Sequence, residues 1–170
     1  ATNKNWKGWR PQTLAVRGGQ IRTPFQETSE ALFLTAGYAY ETPGEAEARF
    51  KGAPGYTYTR YANPTVTMFE ERMALLEGAP AARATASGMA AVTASLLCCL
   101  RTGDHVVAAK ALFGAIRFVL EDILPRYGIA ITLVDGTDLS AWRKAMRKET
   151  KFAFLETPSN PTLEIVDIKR

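Results

Sequence analysis

The feature that most restricts this chain is a rhythm running from residue 63 onward: short apolar runs rich in β-branched residues alternate with helix-length segments bounded by capping side chains and glycines. Asn63-Pro64 sets a capping amide before a proline suited to the first helical turn. Gly78 closes the stretch, which predicts a helix from about 64 to 77 carrying Met68, Phe69, Met73 and Leu76. Ala81 to Thr85 reads as a short strand, and Ser87-Gly88 opens a second helical run ending near Gly103. His105 to Ala109 is the next strand, Phe113 to Tyr127 a helix stopped by Gly128, and Ile129 to Val134 another strand. Asp138 caps a helix with Leu139, Trp142 and Met146 on one face, before a fourth strand from Phe152 to Glu156.

Strands separated by helices of this length require crossover connections, so the fold class is α/β, with a parallel sheet covered on both faces. Ligands in such sheets lie beyond the carboxyl ends of the strands. The loops at 85–89, 109–114, 134–138 and 156–162 are therefore the candidate site.

Residues 1 to about 62 lack any sustained period and are rich in Thr, Gly, Pro and aromatics. They read either as an extended arm over a partner subunit, the reading preferred, or as a stretch holding short helices such as Thr42 to Phe50. At the other end, Asp167 looks like the cap of a further helix, followed only by Ile168, Lys169 and Arg170. The expectation is that the chain stops within a repeating unit and is part of a larger fold.

Composition removes several function classes. The 21 basic and 17 acidic residues leave a net charge of +4 without a dense block of one sign, which argues against nucleic acid. Arg143, Lys144, Arg147 and Lys148 suit the solvated side of a helix. The opening residues lack the apolar run of a secretory signal, and Met89 to Leu100 is too short to cross a bilayer, so a cytoplasmic protein is expected. Cys98 and Cys99 point about 100° apart on a helix, which suggests two buried small hydrophobes that neither pair nor share a metal, in a reducing compartment.

The single histidine, His105, has no ligand or triad partner at useful spacing and is expected to be structural, with no metal site. Neither glycine-rich nucleotide fingerprint is present.

Three loops carry candidate chemistry. In Thr85-Ala86-Ser87-Gly88-Met89-Ala90-Ala91 the amides of Gly88 and Met89 lie at the positive end of a helix, with the Ser87 hydroxyl beside them. That corner suits an anion such as phosphate, although Ser87 as a plain cap and Gly88 as a packing residue explain it equally. Tyr58 and Arg60, in a segment holding three tyrosines, also suit phosphate oxygens, or a polar arm docked on a neighbour. Asn160, between Pro158 and Pro161, is either held rigidly to direct one hydrogen bond or is part of an ordinary turn.

Taken in order, Y-T-R-Y-A-N-P-T at 58–65, A-T-A-S-G-M-A-A at 84–91, L-F-G at 112–114 and E-T-P-S-N-P at 156–161 resemble the Cys/Met-metabolism family of pyridoxal-phosphate enzymes. The likeness covers nearly the whole chain from Thr13. The L-A-V-R-G-G-Q opening, A-L-F-L-T at 31–35 and Phe113 look most like its sulfhydrylase branch acting on O-succinylhomoserine.

The resemblance implies the fold type I transferase architecture, with residues 1–62 as an arm on a neighbouring subunit and 63–170 as the first part of the cofactor domain. It implies pyridoxal 5'-phosphate held by Ser87, Gly88 and Met89, with Tyr58 and Arg60 closing over the phosphate from an adjacent subunit. Phe113 would stack on the pyridine ring, and Asn160 would bond the cofactor's phenolic oxygen or the substrate carboxylate. The assembly would be a homo-oligomer with shared sites, a dimer or a homotetramer.

The activity implied is γ-replacement on an O-acylhomoserine by sulfide, giving homocysteine and succinate from the succinyl ester. Related family activities are cystathionine synthesis and γ-elimination. The family's Schiff-base lysine lies in a motif past residue 170, and neither Lys151 nor Lys169 matches it. No catalytic residue is therefore assigned, and the chain alone is expected to be inactive.

Overall fold

The computed structural model describes Trp6 and residues 8–168, which separate into two compact units, 1–84 and 85–170. Lys169 and Arg170 lie outside the described residues, as do most of the opening residues considered for a leader.

The first unit holds three helices: α1 (Pro11–Arg17), α2 (Pro43–Phe50) and α3 (Pro64–Glu77). Each starts with proline in its first turn, where the missing N–H has no helical partner to lose. Thr42 caps α2 by accepting from the Glu45 amide, and α2 is the short helix that the sequence offered as the alternative to an unbroken arm. Asn63 caps α3 through the Thr65 amide at 2.9 Å. The same side chain donates to the Phe33 carbonyl at 2.9 Å and the Thr59 hydroxyl at 3.1 Å, so this buried amide ties the arm to the start of α3.

Gly78 ends α3 with φ +62, as its place after the last apolar residue predicts. Arg72 on α3 donates to the Gly18 carbonyl at 3.0 Å, just beyond α1, and pairs with Glu30. The strand expected at 81–85 is absent. Its backbone enters no ladder among the described residues, and the Ala84 amide donates instead to the Glu70 carboxylate at 2.9 Å.

The second unit runs α4 (Gly88–Cys99), β1 (His105–Ala109), α5 (Gly114–Phe118), β2 (Ala130–Val134), α6 (Leu139–Ala145) and β3 (Thr150–Phe154). The sheet is parallel in the order β2-β1-β3. Central β1 is buried along its whole length, and its side chains divide between two cores. Val106 and Ala108 meet Leu96 and Leu100 at the end of α4, together with Leu112, Ile116, Val119, Leu120, Leu124 and Ile129. On the opposite face Val107 and Ala109 meet Val134 and Trp142. The parallel α/β expectation holds.

Four local expectations are corrected. The helix read at 113–127 is α-helical only over α5, because Pro125 has no N–H to donate and its ring crowds the preceding turn. The chain widens to a π turn over 119–123 and tightens to a 3-10 turn over 124–127 before Gly128 stops it at φ +73. Strand β3 is shifted two residues toward its start, since Thr150 pairs with His105 and an irregularity separates that pair from Val106–Phe152. Helix α4 stops at Cys99 rather than near Gly103, and Met146 lies past the end of α6 with Leu139 partly exposed.

Cys98 and Cys99 are both exposed. The apolar surface of α4 extends all round, so its sequence could not show that the core takes Leu96, with Met89 and Val92 partly buried beside it, and leaves the two cysteines outside. Nor does the divergence of adjacent Cα–Cβ bonds keep the sulfurs apart: they lie 3.5 Å from each other. At Asp167 the further helix is not seen, Ile168 being a turn residue and the next two lying outside the described residues.

Candidate cofactor-binding site

Three of the four loops singled out from the sequence flank the carboxyl ends of parallel strands. At the end of β1 the chain turns through Leu112-Phe113-Gly114 into α5, and at the end of β3 it passes Glu156 into the proline-rich loop. A contact that sequence spacing could not reveal joins these two: the Glu156 carboxylate accepts from the Phe113 amide at 2.8 Å. This fixes the backbone of Phe113, a residue 44% exposed whose aromatic ring could offer a flat stacking face.

The proline-rich loop is held from within. Ser159 is buried, its hydroxyl lies 2.7 Å from that of Thr162, and it accepts from the Glu164 amide at 2.9 Å. The Leu163 amide donates to the Ser159 carbonyl at 2.8 Å. Thr157 braces the base by accepting from the Val166 amide at 3.0 Å. Asn160 therefore stands exposed on an ordered loop.

After β2, the Asp135 carboxylate sits below the ordinary range, chiefly because it accepts from the Thr137 hydroxyl and amide, with Lys110 adding to the effect. That loop is a braced turn into the Asp138 cap.

The start of α4 has the form of an anion receptor. Ser87 caps it, its Oγ accepting from the Ala90 amide at 3.2 Å, and the Thr85 hydroxyl donates to the Ser87 carbonyl at 2.8 Å. The amides of Gly88 and Met89 donate to nothing among the described residues, and Gly88 is exposed. A side chain at residue 88 would meet nothing within 4 Å, so the corner is open. Two free N–H groups, a hydroxyl hydrogen on Ser87 and the positive end of a 12-residue helix suit a phosphate. The residues present thus fit a phosphorylated aromatic cofactor, with an anion corner at Ser87–Met89 and a stacking face at Phe113.

Tyr58 and Arg60 belong to the first unit. The Tyr58 segment forms an antiparallel bridge with Gly37, and the Thr59 amide donates to the Ala36 carbonyl at 2.8 Å. The exposed Arg60 guanidinium lies 5.3 Å from the Tyr58 ring centroid and 5.1 Å from that of Tyr61, with no carboxylate partner among the described residues. Both residues line an open cavity of about 560 Å³ with Phe33, Leu34, Thr35 and Ala36. Arg60 is therefore an arginine stacked between two phenols and free to meet an anion.

A parallel α/β sheet with an anion-receptive helix start and an exposed aromatic at its carboxyl edge suits a ligand that carries a phosphate. The family follows from comparison with known proteins: residues 12–170 match the model of the Cys/Met metabolism PLP-dependent enzymes, and the chain belongs to that family.

An O-succinylhomoserine sulfhydrylase of Mycobacterium tuberculosis is 54% identical over 157 residues, and one from Pseudomonas aeruginosa is 48% identical over the same length. An L-methionine gamma-lyase of Porphyromonas gingivalis is 39% identical over 158 residues. In each case the match takes in 92% of this chain, but the chain spans only about 40% of the length of these relatives. Among solved structures, a putative O-acetylhomoserine (thiol)-lyase of Campylobacter jejuni containing a pyridoxyl-lysine phosphate superposes with a TM-score of 0.86 at 30% identity, covering 95% of this chain and 40% of that one. A cystathionine gamma-lyase of Lactobacillus plantarum gives 0.82 at 30% identity, covering 94% and 40%. The family's cofactor is pyridoxal phosphate, and the α/β fold is that of its solved members.

Proposed function

We propose that this chain forms part of a sulfhydrylase that replaces the succinyl group of O-succinylhomoserine with sulfide, giving homocysteine and succinate. The observation that carries the reading is the 54% identity to an O-succinylhomoserine sulfhydrylase, against 39% to a methionine gamma-lyase. The open corner at Ser87, Gly88 and Met89 supports it as the phosphate anchor.

Pyridoxal phosphate, when bound, supplies an electron sink for the carbanions that γ-replacement requires. The chain's own part is to hold and orient. Gly88 and Met89 would donate their amides to the phosphate, and Ser87 its hydroxyl. Phe113, fixed by Glu156, would cover one ring face, and a flat face is all that stacking requires. Asn160 would direct one hydrogen bond at the phenolic oxygen or the substrate carboxylate.

Residues 1–62 would be an arm on a neighbouring subunit, carrying Tyr58 and Arg60 to that subunit's phosphate. Residues 63–170 would be the first part of the cofactor domain. Such a homo-oligomer with shared sites, acting in the cytoplasm, is the assembly this reading requires.

The test is turnover by the enzyme that contains this sequence. Homocysteine and succinate should form from O-succinylhomoserine and sulfide at least tenfold more efficiently than homocysteine forms from the O-acetyl ester, a preference worth about 1.4 kcal/mol. Equal or reversed preference overturns the substrate assignment. Thiol release from methionine as the dominant reaction would replace it with γ-elimination.

A further inference from the structure

Cys98 and Cys99 are the chain's two cysteines, adjacent in sequence at the last turn of α4 and both exposed. Their sulfurs lie 3.5 Å apart. The Cys98 thiol donates to the Ser95 carbonyl at 3.3 Å, which leaves Cys99 as the donor in the sulfur–sulfur contact. That bond holds the Cys99 thiol above its ordinary range. The helix dipole acts on Cys99 in the same direction, since Cys99 sits at its negative end, where a thiolate is disfavoured. The pair is thus a converged dithiol facing solvent.

A disulfide is the wrong size for this pair. Its sulfurs must close to about 2.05 Å, and its Cα atoms ordinarily stand about 4.4–6.8 Å apart. Consecutive Cα atoms across a trans peptide are only about 3.8 Å apart. Closing the bond would distort the end of α4. A single larger atom set between the sulfurs needs no such change, because the existing 3.5 Å separation lets it bond both at once.

We propose that Cys98 and Cys99 form a bidentate dithiol site for a thiophilic trivalent centre, an organic arsenoxide being the chemical class, and that they bind it in preference to closing a disulfide. In water the arsenoxide takes up one water to become the dihydroxy form R–As(OH)2; in the step, two As–S bonds form and the bonds from arsenic to its two hydroxyl oxygens break. The two thiol protons leave with those oxygens as two water molecules. Arsenic stays trivalent, so no oxidant or reductant takes part.

The experiment treats the full chain with phenylarsine oxide and weighs it. One arsenical per chain should persist in excess glutathione and be stripped by 2,3-dimercaptopropanol. Cys98→Ser and Cys99→Ser should each lose the adduct to glutathione while their remaining thiol still reacts with maleimide, which reads the site independently of any effect on folding. Glutathione disulfide should give mixed disulfides rather than a chain lighter by two hydrogens. Loss of the wild-type adduct to glutathione, equal retention by either serine variant, or a prevailing internal disulfide overturns the proposal.

Discussion

His105 is fully buried in β1 and satisfies both ring nitrogens from the neighbouring strands, with the Thr150 hydroxyl at 2.8 Å from Nδ1 and that of Thr132 at 2.9 Å from Nε2. It is a structural histidine, as its place at a strand start predicts. Burial pushes its pKa below the ordinary value, Arg147 pushes the same way, and Glu149 opposes them. The unfolded chain then binds the proton more readily than the folded one, so stability is present above the unfolded pKa of about 6.5 and declines as the pH falls through it. Because no other histidine is present, urea midpoints should drop between about pH 7.5 and pH 5 in the native chain, and much less in His105→Gln. An unchanged drop in the variant would remove the assignment. At this scale the capping roles of Asn63, Ser87 and Asp138 were legible, because a cap bonds within its own first turn. The exposure of Cys98 and Cys99 was not, because nothing in an evenly apolar helix marks which side meets a core.

Among the elements, glycine stops were as legible as the caps, and two of them differ in a way that can be measured. Gly78 and Gly128 both adopt positive φ, +62 and +73, but an added Cβ meets nothing near Gly78 and comes within 2.8 Å of Thr102 Cγ2 at Gly128. Gly78→Ala should cost about 1–2 kcal/mol from the left-handed backbone alone. Gly128→Ala should cost more, since Thr102 is also anchored by its hydroxyl bond to the Tyr127 carbonyl at 2.9 Å. Equal losses in chemical denaturation would mean that Thr102 yields freely. The alternation of strand and helix gave the order of β1, α5, β2, α6 and β3, whereas the segment at 81–85 has strand composition and no ladder. Composition sets a tendency to extend, and only a hydrogen-bonding neighbour makes a strand of it.

At the scale of the whole molecule, the shared-site proposal makes Arg60 a cofactor ligand supplied across a subunit boundary. In the enzyme that contains this sequence, Arg60→Ala should release pyridoxal phosphate at least tenfold more readily on dialysis. Thermal unfolding of the apoprotein should be unchanged, because Arg60 is exposed and its guanidinium lies against the exposed Tyr58 and Tyr61 rings. Unaltered retention would count against the assignment.

What the sequence by itself determined is the order of elements, the α/β class and the family, because caps, turns and motif residues act through bonds a few residues long or through a fixed succession of types. The tertiary structure alone decided that Glu156 holds the Phe113 amide, that the two cysteines face solvent with their sulfurs converged, and that His105 lies between two threonines. Those outcomes depend on which distant segments meet and which side of each element they cover, and chain order does not encode that meeting in any local pattern.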